Sequence, residues 1–318
     1  MYHIVRNRAI YFLISLAVIL PGLGFMVYNT VTLSSHTPWH LSVDFRQGSI
    51  FDIKFNETVT EDAIRNVFEQ FGLSNPSISK LGADSDNLWQ VRTDFLQGDK
   101  TQALLDALNK QVGALDQKQS SVSSVSAKVA SEVTRAAILA VIAATVAILL
   151  FIWYTFRKAP NAIRYSVCAI VAMIHDVLVA GGLTAIFSTL FKWEIDALFL
   201  TAMLTVIGFS VQDTIVVYDR IRENLVRHRG EPFEDVVSRS LIETLHRSLT
   251  ISLTNIFVMT ALLLFGGASI KQFVAVLLIG LVSGTYSSIF NAVPLVVAWE
   301  ERDLLGLRAL RSRAMPAK

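Results

Sequence analysis

Six stretches of about twenty mostly apolar residues run through this chain, and no other feature limits its fold so severely. Crossing a hydrocarbon layer of about 30 Å as a helix takes about 20 such residues, because backbone N–H and C=O groups left unpaired in lipid are costly. The stretches are Ala9–Tyr28, Ala136–Phe156, Tyr165–Phe191, Ala197–Tyr218, Ser248–Phe265 and Phe273–Trp299. The chain is 53% hydrophobic and only 17% charged over 318 residues, so the bilayer is its main solvent. Arg6 and Arg8 precede the first stretch as they would in a signal peptide. The run is too long for one, however, and no A-x-A-like site follows Tyr28, so it reads as an uncleaved first span.

The basic residues mark orientation rather than a nucleic-acid surface. Arg157, Lys158 and Arg164 surround the second connection, and Arg220, Arg222, Arg227, Arg229, Arg239 and Arg247 occupy the fourth. Arg302, Arg308, Arg311, Arg313 and Lys318 fill the tail, whereas the turns 192–196 and 266–272 hold one lysine each. The positive-inside rule then places both termini in the cytoplasm and residues 29–135 outside. The resulting divisions are 1–28, 29–135, 136–299 with a cytoplasmic loop 219–247, and a basic tail 300–318. Cys168, the one cysteine, lies in an apolar run and cannot form an intramolecular disulfide.

The outside segment is patterned like a folded domain. Phe51, Ile53 and Phe55 alternate with Asp52 and Lys54 as in a half-buried strand. Thr58 and Glu61 have capping-box spacing before the helical stripe Ala63, Ile64, Val67, Phe68 and Phe71. Strands follow at 77–81 and 88–93, with Leu88, Trp89 and Val91 read as core in preference to a peptide-binding edge. A helix capped by Asp99 and Gln102 then carries Leu104, Leu105, Leu108 and Val112, and 122–129 is a serine-rich last strand. The order β-α-β-β-α-β is that of a small ferredoxin-like α+β unit. After Pro232, Phe233, Val236, Val237, Leu241 and Leu245 share one helical face, which predicts an amphipathic helix on the membrane surface or on a partner domain.

Ionisable side chains inside a span cost several kcal/mol on insertion scales and are functional candidates for that reason. Asp213 stands in such a position, as do the adjacent His175 and Asp176. A carboxylate buried away from water holds its proton more readily, which suits proton uptake and release. Arg247 opens the next, antiparallel span and could pair with Asp213 in its charged form; a static pair, or an Arg247 that only reaches for the interface, is the plainer alternative. His175 and Asp176 are about 100° apart on a helix, so the spacing predicts that they point in different directions. Gln212 and Thr214 flank Asp213, and with His175 and Asp176 they are the candidates for a secondary polar relay. Asn255 and Asn291 read as interhelical hydrogen-bonding groups. No CxxC, HExxH or phosphate-loop pattern occurs, so neither an enzyme, a metal site nor a cofactor is expected.

Residues 212–224, Gln-Asp-Thr-Ile-Val-Val-Tyr-Asp-Arg-Ile-Arg-Glu-Asn, resemble the fourth-helix signature of the SecD/SecF protein-export family, including its Asp219, Arg220, Arg222 and Glu223. Residues 174–177, 244–249 and 284–290 resemble the third, fifth and sixth helices of the same family. Asp44, Phe45 and Gly48 are similar to its D-F-x-G-G element, with Gln47 where the first glycine is expected; Gln212 replaces an asparagine, and no Gly-Pro step precedes the second span. The resemblance implies a six-helix half of an RND-like fold in the bacterial cytoplasmic membrane. It implies pairing with a SecD-type half, association with the SecY/SecE/SecG channel, with YajC as a further candidate, and use of the proton gradient to complete export of unfolded precursors. Asp213 and Arg247 would then be the proton-coupling pair. A half-size RND-type exporter of lipids or small hydrophobic molecules, and a passive scaffold for the partner half, are the competing readings.

Overall fold

The structure is a computed structural model and describes residues 4–33, 35–73, 76–81, 87–96, 98–157 and 162–303. Lys158 and the tail residues Arg308, Arg311, Arg313 and Lys318 lie outside the described residues. The chain runs α1 (Arg8–Thr32), β1 (His40–Leu41), β2 (Gly48–Lys54), α2 (Glu61–Gln70), β3 (Ser77–Leu81), β4 (Leu88–Thr93), α3 (Gly98–Gln111) and β5 (Ser121–Val125). It continues through α4 (Ala127–Phe156), α5 (Ala162–Phe191), β6 (Glu194–Ile195), α6 (Ala197–Arg227), α7 (Phe233–Phe265) and α8 (Ala268–Ser287). A π-turn (Ser288–Ala292) then leads into α9 (Val293–Glu301). Six of these helical runs are long and apolar enough to cross a bilayer, α8 to α9 counting as one, and the chain is a multi-pass membrane protein.

The helices overrun the predicted spans where charge begins. Ser126 caps α4, its hydroxyl accepting from the Val129 N–H, so the last strand stops at Val125 and the second span starts nine residues before its apolar stretch. α6 and α7 continue through the arginine-rich connection, because i,i+3 and i,i+4 pairs such as Arg222–Asp219 (2.7 Å) and Arg227–Glu223 (2.5 Å) suit an exposed helix. The loop expected at 219–247 therefore shrinks to 228–232. The apolar stripe after Pro232 is no separate surface helix: it is the first part of α7, and Val237 and Leu241 are buried in one cluster with Tyr218, Ile221 and Val297.

Between α1 and α4, β2–β5 form a four-stranded antiparallel sheet in the order β3-β4-β2-β5. Phe51, Ile53 and Phe55 point to α2 and α3, packing with Phe68, Leu104, Leu108, Trp89 and Val91. The cap of α2 is Thr60, which accepts from the Ala63 N–H at 3.4 Å, rather than Thr58. Asp99 sits inside the first turn of α3, where a carboxylate favours the helix dipole.

Close helix packing depends on missing side chains. A Cβ on Gly22 would lie 2.7 Å from the Gly182 Cα, so this pair lets α1 lie directly on α5. Pro21 is carried inside α1 without ending it. The ends of the chain's membrane part are tied by Arg8, which is buried and pairs with Glu301 at 2.8 Å.

Candidate functional site

α8 lies between two buried carboxylates. On one side it faces α6 through Gly280 and Gly284, where a Cβ would meet Val206 side-chain atoms at 2.0 Å and the Ser210 Cα at 3.3 Å. This G-x-x-x-G spacing, a signal readable in the sequence, holds the two backbones together. Gly280→Leu is expected to force α6 and α8 apart and to cost about 1–3 kcal/mol by overpacking; a thermal-melting series in detergent would show it, and an unchanged midpoint would contradict the contact.

Asp213 sits on this α6 face, 9% exposed. Its Oδ2 accepts from the Ser252 hydroxyl of α7 at 3.3 Å. Gln212, Asn255 and Thr285 join these two residues around a cleft of about 10 Å³, room for about one water. Arg247 is not in this group. It precedes Ser252 by five residues, hence about 140° around the helix and about 7.5 Å along it, and it is exposed with no ion-pair partner among the described residues. The Asp213–Arg247 pair expected from the sequence is therefore absent within this chain. Thr214 turns its hydroxyl to its own helix, bonding the Ser210 carbonyl at 3.0 Å, while Gln212 is exposed beside the cleft.

On the other side of α8, Asp176 of α5 is fully buried. Its Oδ1 accepts from Ser283 Oγ at 2.6 Å and contacts His175 Nδ1 at 3.0 Å; its Oδ2 accepts from Ser287 Oγ at 2.6 Å. His175 and Asp176 thus meet despite their helical offset, because the imidazole swings back to its neighbour. His175 Nε2 is buried without a partner among the described residues, and its ring stacks on Tyr286 at 6.2 Å. Ser283 and Ser287 were not singled out from the sequence, although serines four apart on one face of a span are a signal for such a contact. The π-turn follows directly. Its Ala292 carbonyl accepts from Tyr218 OH at 2.9 Å, and Asn291 exchanges hydrogen bonds with Ser15 of α1 at 2.8 and 3.1 Å.

The other motif residues build joints. Arg220 holds Glu223 (2.6 Å) and Glu243 of α7 (2.5 Å), and buried Asn224 donates to Ser240 (3.0 Å) and Glu243 (2.8 Å), so residues 219–224 clamp α6 to α7 beyond the cleft. Asp44 Oδ2 accepts from the Ala197 N–H at 3.0 Å, capping α6, and Phe45 packs with Phe199 and Met203. Gly48 leaves no room for a Cβ, which would lie 2.5 Å from Val43. Nearby, β1 pairs in parallel with β6, and Arg92 of the sheet lies 3.2 Å from Glu194. Burial pushes the Glu194 carboxyl above the usual carboxylate range, with Arg92 and Arg46 pulling it back. Burial, with Arg46 and Lys192, pushes His40 below the ordinary histidine value.

Residues 105–302 match the family described as protein export membrane protein SecD/SecF, C-terminal. The chain belongs to the SecD/SecF family. A relative from Thermobaculum terrenum, named protein translocase subunit SecF, is 41% identical over 313 residues, covering 96% of each chain. One from Anaerolinea thermophila with the same name is 39% identical over 306 residues, covering 95% of this chain and 96% of its own. The crystal structure of SecDF from Thermus thermophilus, described as a translocon-associated membrane protein, superposes with a TM-score of 0.75 at 27% identity over 92% of this chain. SecDF in a super-membrane-facing form gives 0.60 at 26% identity over 95%. This SecD/SecF-family chain spans 38% and 39% of those two SecDF chains.

Proposed function

We propose that this chain is the SecF half of a SecD/SecF-type assembly that couples an ion gradient, acting at Asp213, to protein export. The observation that carries the reading is the setting of Asp213: a buried carboxylate at a one-water cleft, beside a polar face that none of the described residues covers. Gln212 on α6 and Arg247 on α7 are exposed and have no partner among the described residues. Thr250 and Thr254 are exposed three and seven residues after Arg247 on α7, each hydroxyl turned back to its own helix. Such a face is poorly suited to lipid. A second, SecD-type helical half would cover it and bring its own polar groups to Asp213 and Arg247. The SecF names of the relatives, and SecDF chains in which this chain matches about two fifths of the length, support that partner.

On this reading the bundle is an RND-like half in the bacterial cytoplasmic membrane. The arginine-rich α6–α7 end and both termini are cytoplasmic, and the sheet unit is a ferredoxin-like domain on the far side. The assembly would act with the SecY/SecE/SecG channel, and with YajC, on unfolded precursors late in translocation. It would do so without a cofactor or a catalysed reaction, and the proton is the coupling ion we favour. The test is complementation: cells depleted of their own SecF receive this chain with its matched SecD, and the export of one secreted precursor is followed with and without an uncoupler. Restored, uncoupler-sensitive late export is expected. Export that is not restored would sink the export role; restored export that ignores the uncoupler would leave the passive scaffold.

A further inference from the structure

The second span stands away from its neighbours along much of its length. α4 is buried only at Ala130 and, twenty-two residues on, at Ile152 and Phe156; between them Ile138 and Ile142 are 57% and 54% exposed. The gap that this leaves beside α6 is a groove of about 380 Å³ lined by Trp39, Phe45, Ile138, Ile142, Phe199 and Ile207 among others. Its walls are apolar. The one hydroxyl on them, Thr134 Oγ1, donates to the Ala130 carbonyl at 2.8 Å.

The dimensions select an occupant. From Phe199 to Ile207, and from Thr134 to Ile142, the groove follows eight residues of helix, about 12 Å, which is close to one leaflet of a layer about 30 Å thick. Where helices of this bundle pack closely they do so through glycines, as at Gly22 with Gly182 and at Gly280, and no glycine among the described residues lines this groove. Water is unfavoured in an apolar cleft open to hydrocarbon. A single acyl chain fits on both counts.

The mouth of the groove, on the side of the sheet unit, is cationic. Arg46 follows the lining residue Phe45. Arg135 lies one turn before Ile138 and two before Ile142 on the same stripe of α4, and Lys128 lies two turns further out. All three are exposed, and none has an ion-pair partner among the described residues. Of the nearby carboxylates, Asp44 and Asp196 accept from the N–H groups of Ala197 and Phe199, and Glu194, the one that Arg46 acts on, is paired with Arg92 at 3.2 Å, while Glu132 shares α4 with Lys128 and Arg135. Long basic side chains at this level reach readily to a head group.

We propose that this groove binds a phospholipid with an anionic head group, one acyl chain lying between α4 and α6 and the phosphate held by Arg46, Lys128 and Arg135. The lipid sets the spacing between α4 and α6, and α6 carries Asp213.

The full chain with its partner half, in nanodiscs of equimolar phosphatidylglycerol and phosphatidylcholine, is released and its retained lipids are counted by native mass spectrometry. The wild type is expected to retain phosphatidylglycerol over phosphatidylcholine by about fivefold for each cation engaged. Arg46→Gln with Lys128→Gln and Arg135→Gln should keep a lipid and lose the preference. Ala137→Trp, which fills the groove, should lose both lipids, with Leu200→Phe as a second filling variant should the first not fold. Equal retention of both lipids by the wild type, or filled grooves that retain lipid unchanged, would show annular lipid only and overturn the proposal. A photoreactive residue at Ile142 that captures a protein in cells, and no lipid, would overturn it too.

Discussion

Asp213→Asn should export precursors at the uncoupler-insensitive rate, roughly tenfold or more below wild type at matched membrane levels. Asparagine keeps the size of the side chain and an oxygen for the Ser252 hydroxyl, so the α6–α7 contact survives while the exchangeable charge is removed. One charge moved through 100 mV is worth about 2.3 kcal/mol, a bias of roughly fiftyfold between two states of a bundle. Losing it therefore removes the driven part of the work and leaves the folded protein. The assay compares precursor release with and without uncoupler for Asp213→Asn and wild type side by side. A variant that exports normally and stays uncoupler-sensitive would make Asp213 a structural residue. Arg247→Gln in the same assay separates two roles for the arginine: if it meets the partner half, the loss should track disrupted co-purification of that half.

Asp176→Ala should act on the fold instead. Both oxygens of Asp176 are occupied, by Ser283, Ser287 and the His175 ring, inside a bundle where water cannot replace them. Truncation leaves the Ser283 hydroxyl and an imidazole nitrogen unpaired, at about 1–3 kcal/mol for each buried group left unsatisfied, and leaves Ser287 only its 3.3 Å bond to the Gly284 carbonyl. The expected result is a sharp drop in folded protein and a lower melting midpoint in detergent, with Asp176→Asn intermediate because one acceptor oxygen remains. A midpoint for Asp176→Ala within error of wild type would mean that the serine contacts do not hold α5 to α8.

The sequence makes the architecture readable because its largest physical terms are local. Hydropathy alone locates the six spans, and alternation at Phe51, Ile53 and Phe55 locates the central strand. Helix ends are less legible where charge replaces apolarity: Arg220, Glu223 and Arg227 look like a loop by hydropathy and are helical by their pairing. Partners of buried groups are the least legible. The registers of α6 against α7 and of α5 against α8 are tertiary and leave no local pattern, so it is the structure that brings Ser252 rather than Arg247 to Asp213, and Ser283 and Ser287 to Asp176. The adjacency of His175 and Asp176 argues for divergence if only Cβ directions are counted, and a rotatable imidazole defeats that argument. Gly280 and Gly284 were open to recognition from their spacing, and they mark the α8 face on which Asp213 depends.

The overhang of α6 and α7 has a mechanical meaning. α6 has 31 residues, about 46 Å, so about a third of it projects beyond a hydrocarbon layer of about 30 Å. Asn224, Ser240 and Glu243 lock the projecting part to α7, so the two helices form one stiff arm. From Asp213 to Arg227 the arm is about 21 Å long, and a tilt of about 10° swings its tip by about 4 Å. Gain or loss of one proton's worth of charge in a one-water space would thus be amplified into a stroke that a neighbouring subunit can feel at the membrane surface.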